Sequence, residues 1–168
     1  MEKGSRTDLL DAALELLGRF GAGSLTVRAT EDAVNLTHGS VRHHFGDRAG
    51  MVAALFDHLA EREGAAVEGA TAAALEDWLG PGRTLTLARY ELFLMAARDP
   101  TLRPPLIRAR DRFVTAATKR VGATAAPTLV AALDGLVLDA LIRGEHDPDR
   151  LRSAVAQITD ASSLQGPE

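Results

Sequence analysis

The 168-residue sequence contains no cysteine, which excludes disulfides, thiolate metal sites and cysteine nucleophiles at once. Aromatic residues are scarce, with five Phe, one Tyr and one Trp, and few Val-Ile-Thr runs leave no candidate for a strand. Lysine is nearly absent. All but Lys3 and Lys119 of the 19 basic residues are arginine, the better bidentate partner for phosphates and guanine edges. No uninterrupted apolar stretch reaches the roughly 18 residues of a membrane span. The start, Met1-Glu2-Lys3-Gly4-Ser5, also lacks the apolar centre of a signal peptide. A cytoplasmic chain without a membrane partner is expected. None of the five histidines has a Glu three residues before it and no His-Glu-x-x-His occurs, so the metal-ligand pairs of helical bundles are missing. Neither a nucleophile–base pair at useful spacing nor a phosphate-cradling Gly loop is found, and no cofactor and no enzyme are expected.

What remains is 46% hydrophobic and 25% charged, the balance of a globular chain able to fill a core. The formal net charge is -4, so any contact with nucleic acid has to come from a local patch. Over residues 1–50 acidic side chains even slightly outnumber basic ones. Apolar residues recur at the helical period along nearly the whole length, which predicts an all-α fold of about nine helices.

The first helix is predicted over Arg6–Phe20, with Leu9, Ala13, Leu16, Leu17 and Phe20 as its inner stripe and Asp8 and Asp11 at its dipole-positive end. Gly21 and Gly23 stop it. Two short helices follow, about Thr26–Ala33 and Thr37–His43, joined by a tight Asn35-Leu36 turn. Asp47 then caps a longer helix whose Met51, Leu55, Phe56 and Leu59 face inward, with Gly64 and Gly69 marking its end. A larger body follows. It holds helices over Thr71–Leu79, ended by Gly80-Pro81-Gly82, and over Arg83–Arg98. Asp99-Pro100 is a cap with a proline at the first helical position, and Pro104-Pro105 imposes a kink or a fresh start before a helix reaching Val121. Pro127 opens an apolar helix, Leu129–Ile142, ended by Gly144. Asp147-Pro148 opens the last, through Leu151, Val155 and Ile158, before a polar tail over Ser162–Glu168.

Three histidines, His38, His43 and His44, cluster in the sequence, but spacings of five and one do not place them on one helix face. Contact with phosphates or bases, or plain surface positions, is favoured over a metal site. His58 and His146 are expected at the surface, and Trp78, Phe56 and Phe113 in the core. Thr86, Arg89, Tyr90 and Phe93 share one side of their helix and are candidates to line a ligand cavity, with Phe113 added from a later helix. The alternative is that Phe93 is core and Arg89 pairs with Asp134 or Asp139. On the helix Leu129–Ile142 the apolar residues exceed one stripe, with Val130, Leu138 and Ile142 adding more, so it is expected to be buried nearly all round. Part of that surface is expected to meet a second copy. Leu129, Leu133, Leu136, Val137, Ala140 and Leu141, with Leu151 and Val155 of the last helix, are the candidates.

The segment Leu25-Thr26-Val27-Arg28 followed by Leu36-Thr37-His38-Gly39-Ser40-Val41-Arg42-His43-His44-Phe45 resembles the DNA-binding signature of the tetracycline-repressor (TetR) family. In that pattern a threonine opens the second helix, here Thr26, and a Ser or Thr caps the third, here Thr37. A Gly-Ser/Thr-Leu/Val run makes the recognition helix, and the resemblance assigns Gly39, Ser40, Val41, His44 and Phe45 to it. Where the family has Ile-Ala and Ala-Gly, this sequence has Thr30-Glu31 and Val34-Asn35, and Asn can adopt the left-handed turn that Gly usually supplies. A cap at Thr37 would turn first-turn amides toward solvent or phosphate, and Val41 and Phe45 would hold the helix to the head.

The resemblance implies a helix-turn-helix domain over residues 1–47, a helical ligand-binding and dimerisation domain over 48–162, and a flexible tail over 163–168. Its implied DNA contacts are Thr26, Arg28, Thr37, His38, Gly39, Ser40, Arg42, His43, His44 and Arg48. The implied partners are a double-stranded operator, a second copy of the chain and a small-molecule effector. Two rival readings remain: a ligand-binding dimer of the same family with weak DNA affinity, and a helical-bundle enzyme.

Overall fold

The computed structural model describes residues 6–69, 72–144 and 148–163. Among these residues there is no strand. The chain forms α1 (Arg6–Phe20), a 3₁₀ turn (Ala22–Ser24), α2 (Val27–Ala33), α3 (Ser40–Phe45), α4 (Arg48–Gly69), α5 (Ala72–Leu79), α6 (Arg83–Arg98), a second 3₁₀ turn (Pro100–Leu102), α7 (Arg103–Arg143) and α8 (Pro148–Ser163). It divides into two compact units, residues 1–62 with 84–109, and residues 63–83 with 110–168. His146, the start of the predicted Thr71 helix and the end of the tail lie outside the described residues.

In the first unit α1 buries Leu9, Leu10, Ala13, Leu14 and Leu17. This stripe is rotated from the predicted one, because Leu10 and Leu14 take the places given to Leu16 and Phe20, and Phe20 is 68% exposed. From α4, Met51, Leu55, Phe56 and Leu59 are buried as predicted and Val52 with them, and α6 adds Ala88, Leu92 and Ala96. Each large apolar side chain removed from water stabilises the fold by about 2 kcal/mol before entropy is counted. The helix ends follow local chemistry. Thr26 Oγ1 accepts from the Ala29 amide at 3.1 Å to cap α2, and Asp47 Oδ1 accepts from the Gly50 amide at 2.8 Å to start α4. α1 and α4 are tied by Asp11, whose Oδ1 lies 2.7 Å from His58 Nε2 and 2.8 Å from Arg62 Nη1. His58 is therefore no surface residue; its side chain is 13% exposed. Burial raises the Asp11 carboxyl, but His58 and Arg62 outweigh it and hold it below its ordinary value. α1 also approaches α6 closely: a Cβ on Gly18 would stand 2.0 Å from the Thr84 carbonyl oxygen, which only glycine permits.

In the second unit α5 packs on α8, burying Ala74, Leu75, Trp78, Leu79 and Leu151. Arg152 bridges them, donating to Glu76 Oε1 at 2.9 Å. α7 starts afresh at Arg103, with Pro104 and Pro105 in its first turn, where proline costs no intrahelical hydrogen bond. It is broken at Gly122 (φ 79°, ψ 163°), and Pro127 lies inside the second arm instead of opening it. That arm, Val121–Arg143, is long and apolar enough to cross a membrane by length and composition, with a window of mean hydropathy 1.7. Asp134 and Asp139 interrupt the arm, so no uninterrupted apolar stretch of that length occurs, as expected. Nor is the arm buried all round within the chain. Ala126, Leu129, Val130, Val137, Ala140 and Leu141 are buried, whereas Leu138 is 39% and Ile142 76% exposed.

Candidate nucleic-acid interface

The reading segment is built from α2, the turn and α3. Asn35 takes the left-handed conformation at φ 54°, as anticipated for an Asn in place of Gly. The third helix begins later than expected. It starts at Ser40, and its cap is Gly39 at φ 107° in the left-handed region, not Thr37. A Cβ on Gly39 would meet nothing within 4 Å, so the backbone angle and not crowding calls for glycine there. The Thr37 carbonyl accepts from the Ser40 amide at 3.3 Å and from Ser40 Oγ at 2.9 Å, so the Ser40 hydroxyl is turned back into the turn.

The side chain that satisfies the helix start is Glu31. Its Oε1 accepts from the Gly39 amide at 3.0 Å and the Val41 amide at 2.9 Å, while Oε2 lies 3.6 Å from His38 Nδ1. Glu31 is 1% exposed. Burial pushes its carboxyl up, but the Val41 and Gly39 amides and His38 outweigh burial and hold it below its ordinary 4.5. The orphan donors of α3 thus point inward to a carboxylate. The Gly39 and Val41 amides are not turned to phosphate. Local pattern could not reveal this, since the partners are eight and ten residues apart.

Around this anchor Val41 is buried, and Thr37, His38, Arg42, His43 and His44 are exposed. The His43 and His44 rings stand edge to face with centroids 4.9 Å apart. Arg6 lies over the Phe45 ring at 5.1 Å. Thr26 and Arg28 sit exposed at the start of α2, with Arg28 3.6 Å from Asp32. Arg48 is exposed in the first turn of α4 and donates from Nε to the Leu25 carbonyl at 2.8 Å. Among the described residues no group of three or more His, Asp or Glu could hold a metal ion.

The ligand candidates on α6 fall together. Thr86 and Arg89 are buried, at 0% and 4% exposure. Tyr90 and Phe93 are half-buried with rings edge to face at 6.0 Å, and the Arg89 guanidinium stands 5.3 Å from the Tyr90 ring centre. Phe113 is half-buried and belongs to the other unit. Asp134 accepts from Arg110 at 2.6 Å and Asp139 from Arg143 at 2.7 Å. Of the candidate dimer residues, Leu129, Val137, Ala140, Leu141 and Leu151 are buried within the chain, and Leu133, Leu136 and Val155 are half-buried.

Residues 9–55 match the family described as bacterial regulatory proteins, tetR family, and residues 62–161 match the tetracyclin repressor-like C-terminal domain. A transcriptional repressor of the helix-turn-helix type from Rhodococcus jostii, KstR2, is 41% identical over 51 residues, covering 30% of this chain and 25% of that protein. The chain therefore spans about a quarter of the length of this curated relative. Among solved structures, a TetR-family member from Streptomyces coelicolor A3 (SCO1917) is 29% identical with a TM-score of 0.77, covering 91% of this chain and 96% of that one. The multidrug binding protein EbrR complexed with ethidium is 29% identical with a TM-score of 0.74, covering 91% and 97%.

Proposed function

Because the chain belongs to the tetracycline-repressor (TetR) family of bacterial regulatory proteins, we propose that it is a cytoplasmic transcriptional repressor. In this reading it binds a palindromic operator as a homodimer and is released by a small-molecule effector. The observation that carries the reading is the segment Thr37–Phe45. Val41 and Glu31 anchor it from within while His38, Arg42, His43 and His44 face outward, as a helix entering a major groove requires. With the first amides turned inward, phosphate contact falls to side chains, chiefly Arg42, with Thr26, Arg28, Thr37 and Arg48 at the flanks.

Dimerisation rests on the outward side of the second arm of α7. Ala131, Gly135, Leu138 and Ile142 recur at spacings of four, three and four, and all are exposed. Small residues beside large apolar ones permit close helix approach, and a stripe of this kind is commonly covered by a partner. Two-fold symmetry then requires two half-sites about one helical turn, or a small multiple, apart.

The effector is proposed to bind at the α6 face of Thr86, Arg89, Tyr90 and Phe93. The likeness to a multidrug binding protein supports a largely apolar molecule.

A second reading, a ligand-binding dimer with weak DNA affinity, is favoured by the same inward amides, which remove two backbone donors from any phosphate. Selection of bound duplexes from a random pool separates the two. Recovery of a palindrome with fixed half-site spacing is the expected result, and failure to enrich any sequence would favour the second reading.

A further inference from the structure

We propose that Glu31 is the positioning residue of the DNA-reading segment: one carboxylate oxygen sets where α3 begins, and the other holds His38 by one ring nitrogen so that its opposite nitrogen faces outward. The inference deepens the DNA-binding reading above and rests on it.

Three observations carry it. Glu31 has a side chain only 2% exposed at a position where the family's pattern has a small residue, and a buried carboxylate is costly unless its oxygens are satisfied. Its Oε1 binds two amides, those of Gly39 and Val41 at 3.0 and 2.9 Å. These are the cap and the second residue of a six-residue helix too short to be stable alone. Gly39 has no side chain with which to cap the helix, and Thr37 supplies only its carbonyl, so the start of α3 is fixed by a tertiary bond from α2 in place of a local one. A one-residue shift of that start would turn Arg42 and His43 by about 100° around the helix axis.

The second oxygen reaches the first residue of the reading surface. His38 Nδ1 lies 3.6 Å from Oε2 while the His38 side chain remains 69% exposed. Nδ1 is at ion-pair distance from the carboxylate and beyond a direct hydrogen bond, and in the proposal Nε2 is left for DNA. Glu31 itself is buried and acts only through the amides and His38.

The experiment uses the full chain as wild type, Glu31→Gln and Glu31→Ala, each with and without His38→Ala. Two readings are taken: the amide resonances of Gly39 and Val41 in the free protein, and affinity for the selected duplex. Glutamine keeps a carbonyl for the two amides but cannot hold His38 with a charged oxygen. Glu31→Gln should therefore keep both amide resonances near their wild-type positions and weaken binding about threefold. Glu31→Ala should move both resonances upfield and weaken binding about tenfold or more.

His38→Ala should weaken the wild type but add nothing to Glu31→Gln, the non-additivity expected of coupled residues. A role limited to stability would not move that coupling. Folded Glu31→Ala protein that binds as tightly as wild type overturns the role, as does full additivity of His38→Ala with Glu31→Gln. If wild-type protein binds no duplex while Glu31→Ala still moves the two amide resonances, the DNA reading has failed although the capping geometry is right.

Discussion

In the unit of residues 1–62 and 84–109, key carboxylates bond to the main chain or across helices: Glu31 to two amides of α3, Asp47 to the first turn of α4, and Asp11 on α1 to His58 and Arg62 on α4. In the unit of residues 63–83 and 110–168 the described carboxylate pairs run to arginines, as Glu15–Arg19 and Asp32–Arg28 also do in the first unit. Asp139 pairs with Arg143 four residues on, Asp149 with Arg152 three on, and Glu76 and Asp134 with Arg152 and Arg110 on other segments. A bond to main chain fixes where the backbone runs, whereas a pair of side chains on a helix surface fixes little and is worth at most about 1 kcal/mol. The difference teaches that in the first unit directed bonds to the main chain set where α3 and α4 begin, whereas the described polar bonds of the second join side chains.

The comparison can be broken most severely at the contact between α1 and α6. Gly18→Val places a branched side chain against the Thr84 carbonyl and should cost about 3 kcal/mol of stability in urea unfolding. A loss below about 0.5 kcal/mol would mean that the two helices are free to separate.

Next comes the buried acid. Glu31→Ala should cost about 2 kcal/mol, the range for hydrogen bonds to a charged group. Its pH dependence has a definite sign. The folded carboxyl is held below its ordinary 4.5, so its contribution is complete above that value and is lost as pH falls through the lowered one. Denaturant titrations at pH 6 and pH 3 should therefore show a smaller acid loss in Glu31→Gln than in wild type. An equal or larger loss would refute the cause assigned to the shift.

The smaller effects belong to the second unit. Ile142→Glu, at an exposed position, should leave the melting temperature of the isolated chain nearly unchanged and convert dimers to monomers in sedimentation; dimers that persist would move the proposed face elsewhere. Arg143→Ala removes an exposed pair with Asp139 and should change stability by less than about 0.5 kcal/mol. A clear loss there would erase the contrast between the units.

Much of the fold was legible because helix ends are written locally. α1 and α6 run over the predicted residues, stopped by Gly21 and framed by Gly82 and Asp99, and the Asp47 and Asp99 caps are where composition placed them, while the family resemblance placed Thr26 at the opening of α2. Departures arose where the deciding contact is distant in sequence. The start of α3 depends on Glu31, eight residues before Gly39. The rotation of the α1 stripe toward Leu10 and Leu14 depends on the elements packed around it. Pro127 was read as the opening of a helix because proline is a strong local signal, yet the break is at Gly122, whose positive φ leaves no trace in periodicity. In the second arm periodicity marked the apolar residues but could not divide those packed on their own chain from Leu138 and Ile142, which face outward.

The central claim, that the Thr37–Phe45 segment meets DNA through side chains because its first amides are spent on Glu31, is tested most directly by Arg42→Ala. Affinity for the selected duplex would be measured by fluorescence anisotropy across a salt series. The account predicts weaker binding to every duplex, a salt slope shallower by about one unit, and an unchanged melting temperature. An Arg42→Ala protein with wild-type affinity and wild-type salt slope would contradict it.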